Sequence, residues 1–325
     1  MTVGLRVSSR PVTGARIVGI GEARPSTSTS GAVLTERFGK TAEWLRLRTG
    51  ITHVRRLGAE ETLLDLALTA SVRALSDAHL NRHDIDLVLV ATCSADAAHL
   101  GPLSQRVAAR MFPHAAALDI NAACAGFCYG ISVASGLVGT GSARTVLVIG
   151  AEQMSTLIDP DDLGTSILFG DGAGAAVVTA TTTGEPGIAA PAWSSDGAMA
   201  GVLEIREGET ALRMLGSQVF RWAVDEVHKV AATAMERAGV SADDIDVFVP
   251  HQANLRIVEA IRQKLGLVRA TIATDVIESG NTSAASIPLA LARLRKSGTQ
   301  PRGQLALLAG FGAGLTIAAQ VVRLP

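Results

Sequence analysis

The chain has 325 residues, of which 48% are hydrophobic and 3% aromatic, with 33 glycines and a formal net charge of −1. That length can bury a large aliphatic core, and the charge balance leaves no basic footprint for nucleic acid. No apolar run reaches the roughly 18 residues that span a membrane, the N-terminus has no signal-peptide pattern, and 3 cysteines make no disulfide framework, so a reducing cytoplasm is the expected setting.

Taken in order, the first strong pattern after the small-apolar Gly19-Ile20-Gly21 is helical. Leu64, Ala67, Leu68, Ser71, Leu75 and Ala78 recur at the spacing of one helix face. Asp84-Ile85-Asp86 then leads into the apolar strand Leu87–Val90, which Cys93 follows as a core or wall residue. His99 stands in a pocket-wall loop, Ala97–Gly101. The next strand, Ala117–Ile120, runs into Asn121-Ala122-Ala123-Cys124-Ala125-Gly126-Phe127 and an apolar helical run from Gly130 to Val138. A cysteine on such a strand-to-helix turn meets free backbone N–H groups and a helix dipole, which favour a thiolate. Cys124 therefore reads either as a nucleophile or as a buried structural thiol. Cys128 falls on the same helical face and reads as packing, since no further Cys/His cluster completes a metal site.

The second half follows the same grammar. After the strand Val146–Gly150, a helix is expected through Phe220, Ala223, Val224, Val227, Ala231 and Ala234. Asp244-Ile245-Asp246 introduces another apolar strand, and His251 stands at its C-terminal end before the helix Gln252–Leu265. Open α/β sheets collect ligand-binding groups at such strand ends. Asn281 sits in Glu278-Ser279-Gly280-Asn281-Thr282-Ser283-Ala284, a turn before a helix, and reads as a helix cap or as a site residue. The glycine runs Gly170–Gly174 and Gly310–Gly314 complete no phosphate-loop motif. They read better as tight turns presenting N–H groups to an oxyanion.

Two of these segments recur at one offset: Asp84–Val90 matches Asp244–Val249 (244 − 84 = 160), and Val146–Gly150 matches Ala306–Gly310 (310 − 150 = 160). We expect two similar α/β halves, residues 1–180 with Cys124 and residues 181–325 with His251 and Asn281, joined near Thr181–Pro191. Short continuous apolar strands call for sheets covered on both faces, hence layers of helix and sheet related by a pseudo-twofold. In that register Cys124 maps onto Ala284, three residues from Asn281, so the two turns correspond.

Together these segments resemble the ketoacyl-ACP synthase III family of the thiolase-like fold. Trp44-Leu45-Arg46-Leu47-Arg48-Thr49-Gly50-Ile51 is similar to its W-x-x-x-R-T-G-I segment, and Ala122–Phe127 to its nucleophile motif. Phe169–Ala175, Pro250–Ile257, Gly280–Ala284 and Gly310–Gly314 resemble its remaining signatures, in order along the chain. The resemblance implies a layered αβαβα structure and a catalytic set of Cys124, His251 and Asn281. It also implies an oxyanion hole from the backbone N–H groups of Cys124 and Ala313. Trp44, Arg48, Phe220, Ala253 and Asn254 would contact CoA, and Arg221, Arg256 and Lys264 would form a basic docking face for an acidic acyl carrier protein. Where the family carries an arginine opposite the tryptophan, this chain has Leu163, in Asp161-Asp162-Leu163-Gly164-Thr165.

The implied chemistry is attack of Cys124 on an acyl-CoA, then decarboxylation of malonyl-ACP and condensation, in a homodimer with no metal or redox cofactor. Val219–Val224 and Gly4–Val7 are similar to polyketide-priming members. Two other readings keep the fold: acyl transfer to an oxygen or nitrogen nucleophile without decarboxylation, and a catalytically silent scaffold. The intact His251 and Asn281 motifs weigh against both.

Overall fold

Two five-stranded sheets carry the chain, and they are built alike. In the first, the spatial order is Ala15–Ala23, Asp171–Ala180, Thr145–Gln153, Leu87–Ala91 and Ala116–Ile120. In the second it is Ala192–Ser195, Thr316–Arg323, Leu305–Gly312, Val247–Pro250 and Thr271–Ile272. Each begins with two antiparallel pairings and ends with two parallel ones. Leu87 pairs with Val146 in the first sheet and Val247 with Ala306 in the second, so the register itself repeats at the offset read from the sequence. These observations come from a computed structural model that describes residues 14–95, 101–181, 186–298 and 302–325; His99, Gly4–Val7 and part of the join after Thr181 lie outside the described residues.

Because strand residues alternate faces, each sheet buries two sets of side chains. Val88, Val90, Leu147 and Ile149 pack outward beneath the helices Leu63–Ala78 and Leu103–Met111. On the far side, Phe248, Leu307 and Ala309 pack under Gly216–Ala238 and Leu255–Leu265. Leu89, Val148, Val249 and Leu308 point inward onto Gly126–Gly139 and Ser286–Lys296, the central helix layer. The result is the expected αβαβα stack, with the central core shared by both halves. Gly126–Gly139 contains no charged residue, as suits a helix mostly buried between two sheets.

Element ends repeat too. Asn81 and Ser241 form capping boxes with Asp84 and Asp244, setting the entry into the corresponding strands Leu87–Ala91 and Val247–Pro250. One expectation fails. Gly170–Gly174 is not an oxyanion turn, because Asp171–Ala180 is a central strand. Its glycines serve close packing: a Cβ on Gly174 would lie 2.7 Å from the Pro288 Cβ, and one on Gly172 2.8 Å from Leu289 Cδ1.

Candidate active site

The strand Ala116–Ile120 ends in a single 3-10 turn, Ala123–Ala125, that feeds the central helix Gly126–Gly139. The turn requires a positive φ of 46° at Ala123, and the Asn121 side-chain oxygen accepts the Ala123 N–H at 3.1 Å. Cys124 follows with 7% of its surface exposed. The thiolate expected from the turn and the helix dipole is not what the site holds. Burial pushes the Cys124 thiol up to about 12, so desolvation outweighs the stabilising N–H groups. The protein therefore presents a neutral thiol at this position. Cys128 is fully buried in the central core, where it packs.

The second turn, Ser283–Ala285, repeats the first. Ser283 has φ 48°, and Asn281 Oδ1 accepts the Ser283 N–H at 2.9 Å. Asn281 is further fixed through its backbone, donating to Leu168 O at 2.8 Å and accepting from Gly170 N at 2.9 Å. With Oδ1 engaged, the amide of Asn281 presents Nδ2 as its remaining donor. Upstream, the partly buried Arg24 guanidinium pairs with Glu22 and Asp275 and donates to Ser279 Oγ, tying the first half to the lead-in of this turn.

His251 follows the strand Val247–Pro250, and its backbone N–H donates to Ala309 O at 2.8 Å. Its Nδ1 lies 2.7 Å from Ser286 Oγ, which also accepts the fixed N–H of Gln252 at 3.3 Å. The serine proton is then free to be given to Nδ1, and in that tautomer the imidazole proton is on Nε2. Burial pushes His251 down to about 3, so the ring is neutral and Nε2–H is a donor. The Phe311 ring meets it edge-on with centroids 5.1 Å apart.

Cys124, His251 and Asn281 line one cavity of about 710 Å³. Trp44, Arg48, Phe220, Ala253 and Asn254 line its outer part, with Leu163 among them. Trp44 is held by the helix Ala42–Thr49, where Thr41 caps the first turn and Gly50 ends the last at φ 80°. The Arg48 guanidinium lies 5.1 Å from the Trp44 ring centroid. Asn254 also holds the local structure together, since its Oδ1 caps the helix Leu255–Leu265 and its Nδ2 donates to Arg48 O at 3.4 Å.

Of the basic residues, Arg221 and Arg256 reach the cavity, with the Arg256 guanidinium 5.8 Å from the Phe220 ring centroid. Lys264 lies farther along the helix in an ion pair with Asp225 at 2.8 Å. The end of the glycine-rich C-terminal strand is pressed onto Cys124, since a Cβ on Gly312 would sit 2.7 Å from its nitrogen. Ala313, the next residue, begins the turn between Leu305–Gly312 and Thr316–Arg323. Among the described residues no group of three or more His, Cys, Asp or Glu could hold a metal ion.

Sequence reading missed Ser283, Ser286 and Glu152. The last is a fully buried carboxylate at the end of the strand Thr145–Gln153. A charged residue terminating an apolar strand was the available signal.

A family model described as 3-oxoacyl-[acyl-carrier-protein (ACP)] synthase III matches residues 118–197, and its C-terminal counterpart matches residues 235–324. A beta-ketoacyl-[acyl-carrier-protein] synthase III of Streptomyces coelicolor is 42% identical, covering 96% of each chain. That of Streptomyces glaucescens is 43% identical with the same coverage. Among solved structures, the priming beta-ketosynthase of the R1128 polyketide pathway superposes with a TM-score of 0.94 at 41% identity, covering 99% of both chains. A 3-oxoacyl-[acyl-carrier-protein] synthase III of Aquifex aeolicus gives 0.89 at 35% identity, covering 95% of this chain and 100% of that one.

Proposed function

This chain belongs to the 3-oxoacyl-[acyl-carrier-protein] synthase III family, and on that premise we propose how its own residues divide the reaction. The enzyme is a condensing acyltransferase that starts fatty acid or polyketide chains. Cys124 attacks the acyl carbon of an acyl-CoA, and CoA departs. The oxyanion of that step is held by the backbone N–H groups of Cys124 and Ala313. Malonyl-ACP then enters and loses carbon dioxide. Its enolate oxygen receives hydrogen bonds from His251 Nε2–H and Asn281 Nδ2, and the carbanion attacks the acyl-enzyme.

One observation carries this reading. Two neutral donors, each with its other polar atom already engaged, share a cavity with a buried thiol. Neutral donors suit an oxygen that gains charge only during decarboxylation. The apolar cavity wall, with Leu203, Met214, Phe311 and Leu315, suits an alkyl starter. Intact-protein mass spectrometry after exposure to a panel of acyl-CoAs tests the assignment: mass gain on Cys124, and carbon dioxide release once malonyl-ACP is added, are expected. Acyl transfer without carbon dioxide release would instead support transfer to an oxygen or nitrogen nucleophile.

The two substrates approach by different contacts. The CoA nucleotide is placed over Trp44 beside Arg48. Leu163 covers the base without the cation–π attraction of an arginine, which is worth about 0.5–1 kcal/mol at an exposed site. Leu163→Arg should lower KM for acyl-CoA several-fold and leave that for malonyl-ACP unchanged. The carrier protein is placed against Arg221 and Arg256, with a lesser share for Lys264, whose charge Asp225 already meets. Arg256→Glu should raise KM for malonyl-ACP, and an unchanged value would remove Arg256 from the docking face.

A homodimer is supported by the free edge of the strand Ala116–Ile120, which exposes 42% of Leu118. Sedimentation of a single 33.5 kDa species at assay concentration would contradict it.

A further inference from the structure

His251 and Asn281 reach the cavity from different stretches of chain, yet under the proposed roles both donate to one enolate oxygen. Two donors serve one atom only when each is held to within about 0.5 Å. A side chain spans the two stretches. Gln252, the residue after His251, is buried, with 1% of its surface exposed. Its Nε2 donates to Pro250 O at 2.7 Å, and its Oε1 accepts the Val276 N–H at 3.2 Å. Because one partner is a carbonyl and the other an N–H, they fix which end of the amide is which. The Gln252 backbone N–H also donates to Ser286 Oγ, the hydroxyl that meets His251 Nδ1.

Val276 leads to Asn281 through a single turn of helix, Val276–Ser279. The turn is closed by the Gly280 N–H, which donates to Val276 O at 3.1 Å, and Asn281 is the next residue. There is little slack along it. A Cβ on Gly280 would lie 2.6 Å from Leu168 O, and one on Gly170 2.4 Å from Ser279 O. A shift at Val276 is therefore passed on to Asn281 rather than absorbed. At the 160-residue offset the first half has Thr92, whose hydroxyl goes to Glu152 of the neighbouring strand. The amide bridge thus belongs to the half that carries both donors.

We propose that Gln252 is a positioning residue that sets the separation of His251 and Asn281, so that decarboxylation depends on it and acylation of Cys124 does not. This role rests on the enolate reading of the two donors.

Gln252→Glu keeps the length of the bridge and lets pH set it. A protonated carboxyl can donate to Pro250 O and accept from Val276, which restores both bonds. An ionised one turns a negative oxygen toward Pro250 O, and that bond is lost. On the facing turn Asp275 is paired with Arg24 and Arg293, and Glu278 faces His53 and Thr52. The His251 ring is neutral, so burial decides, and burial raises the proton affinity of a carboxyl at position 252. The bridging form is the low-pH form. Carbon dioxide release from malonyl-ACP on preformed acyl-enzyme would be timed for both proteins between about pH 6 and about pH 9, where a buried carboxyl titrates. Acylation would be timed by intact mass over the same range.

Relative to the parent, Gln252→Glu should release carbon dioxide about a hundredfold more slowly at the high end, the loss that accompanies a group misplaced by about 1 Å. That ratio should recover about tenfold at the low end. Acylation and the KM for malonyl-ACP should stay within a few-fold of the parent throughout. Gln252→Met, with similar length and neither bond, should stay about a hundredfold down at every pH, and it decides alone if Gln252→Glu does not fold. A loss confined to carbon dioxide release, relieved by acid in Gln252→Glu only, supports the positioning role. Equal losses in both half-reactions, a Gln252→Glu loss that acid does not relieve, or parent-rate release by Gln252→Met overturns this role alone. A parent enzyme that acylates but releases no carbon dioxide would overturn the enolate reading and this role with it.

Discussion

The turns at residues 121–126 and 281–286 share a backbone and differ in almost everything chemical. Asn121 and Asn281 each accept an N–H two residues on, and Ala123 and Ser283 hold φ of 46° and 48°. Each turn is received by a glycine of the opposite half. A Cβ on Gly150 would lie 2.4 Å from Ala284 O, and one on Gly310 2.9 Å from the Ala125 Cα. On this common frame the first turn carries Cys124, where the second carries Ala284. The second has Ser286, which orients His251, where the first has Gly126. Gly312 lets a strand press against Cys124, and its counterpart at the 160-residue offset is Glu152, beneath Ser283. Under the proposed roles, side chains on one shared backbone divide the work: one turn for acyl transfer, the other for the enolate.

The largest expected effect removes the first turn's chemistry while keeping its shape. Cys124→Ala recreates the residue found at Ala284 and should abolish acyl-enzyme formation by intact mass, whereas Cys128→Ala should leave it largely intact. Stable acylation of the Cys124→Ala protein elsewhere would break the comparison at its root. Next, Asn281→Ala should lower carbon dioxide release from malonyl-ACP by about two to three orders of magnitude, the usual loss for one such donor. Ser286→Ala should lower the same step by about tenfold, equivalent to about 1.4 kcal/mol of hydrogen bonding to the ring. It leaves His251 in place but frees its tautomer, and Ser286→Thr should recover part of the loss. Smallest is Asn121→Ala, the counterpart of Asn281. Asn121 is exposed and supports only a turn, so both half-reactions should stay within about threefold. A large loss there would show that the two asparagines have not diverged.

Much of this was legible in the sequence because both signals are periodic. Apolar strands at one repeated offset require repeated pairing, and the sheets repeat in order and register. The turn positions of Cys124 and His251 follow from strands ending just before them, and that of Asn281 from the offset that pairs its turn with that of Cys124. Less legible were groups whose role depends on a contact distant in sequence. Glu152 meets Ser283 131 residues away in sequence, and Ser286 meets His251 35 residues away. The protonation state of Cys124 was misread for the same reason. Local turn geometry favours a thiolate, but burial raises the thiol's proton affinity, and burial prevails. The glycines of Gly170–Gly174 were misread as a turn because a close helix contact and a tight turn both select residues without a Cβ.

The division of labour between the turns is tested most directly by following both half-reactions in the Asn281→Ala enzyme. Acyl-enzyme formation would be timed by intact mass with acyl-CoA, and carbon dioxide release by labelled malonyl-ACP. We predict acylation within a few-fold of the parent rate alongside a loss of about two to three orders of magnitude in carbon dioxide release. Equal losses in the two measurements would contradict the account.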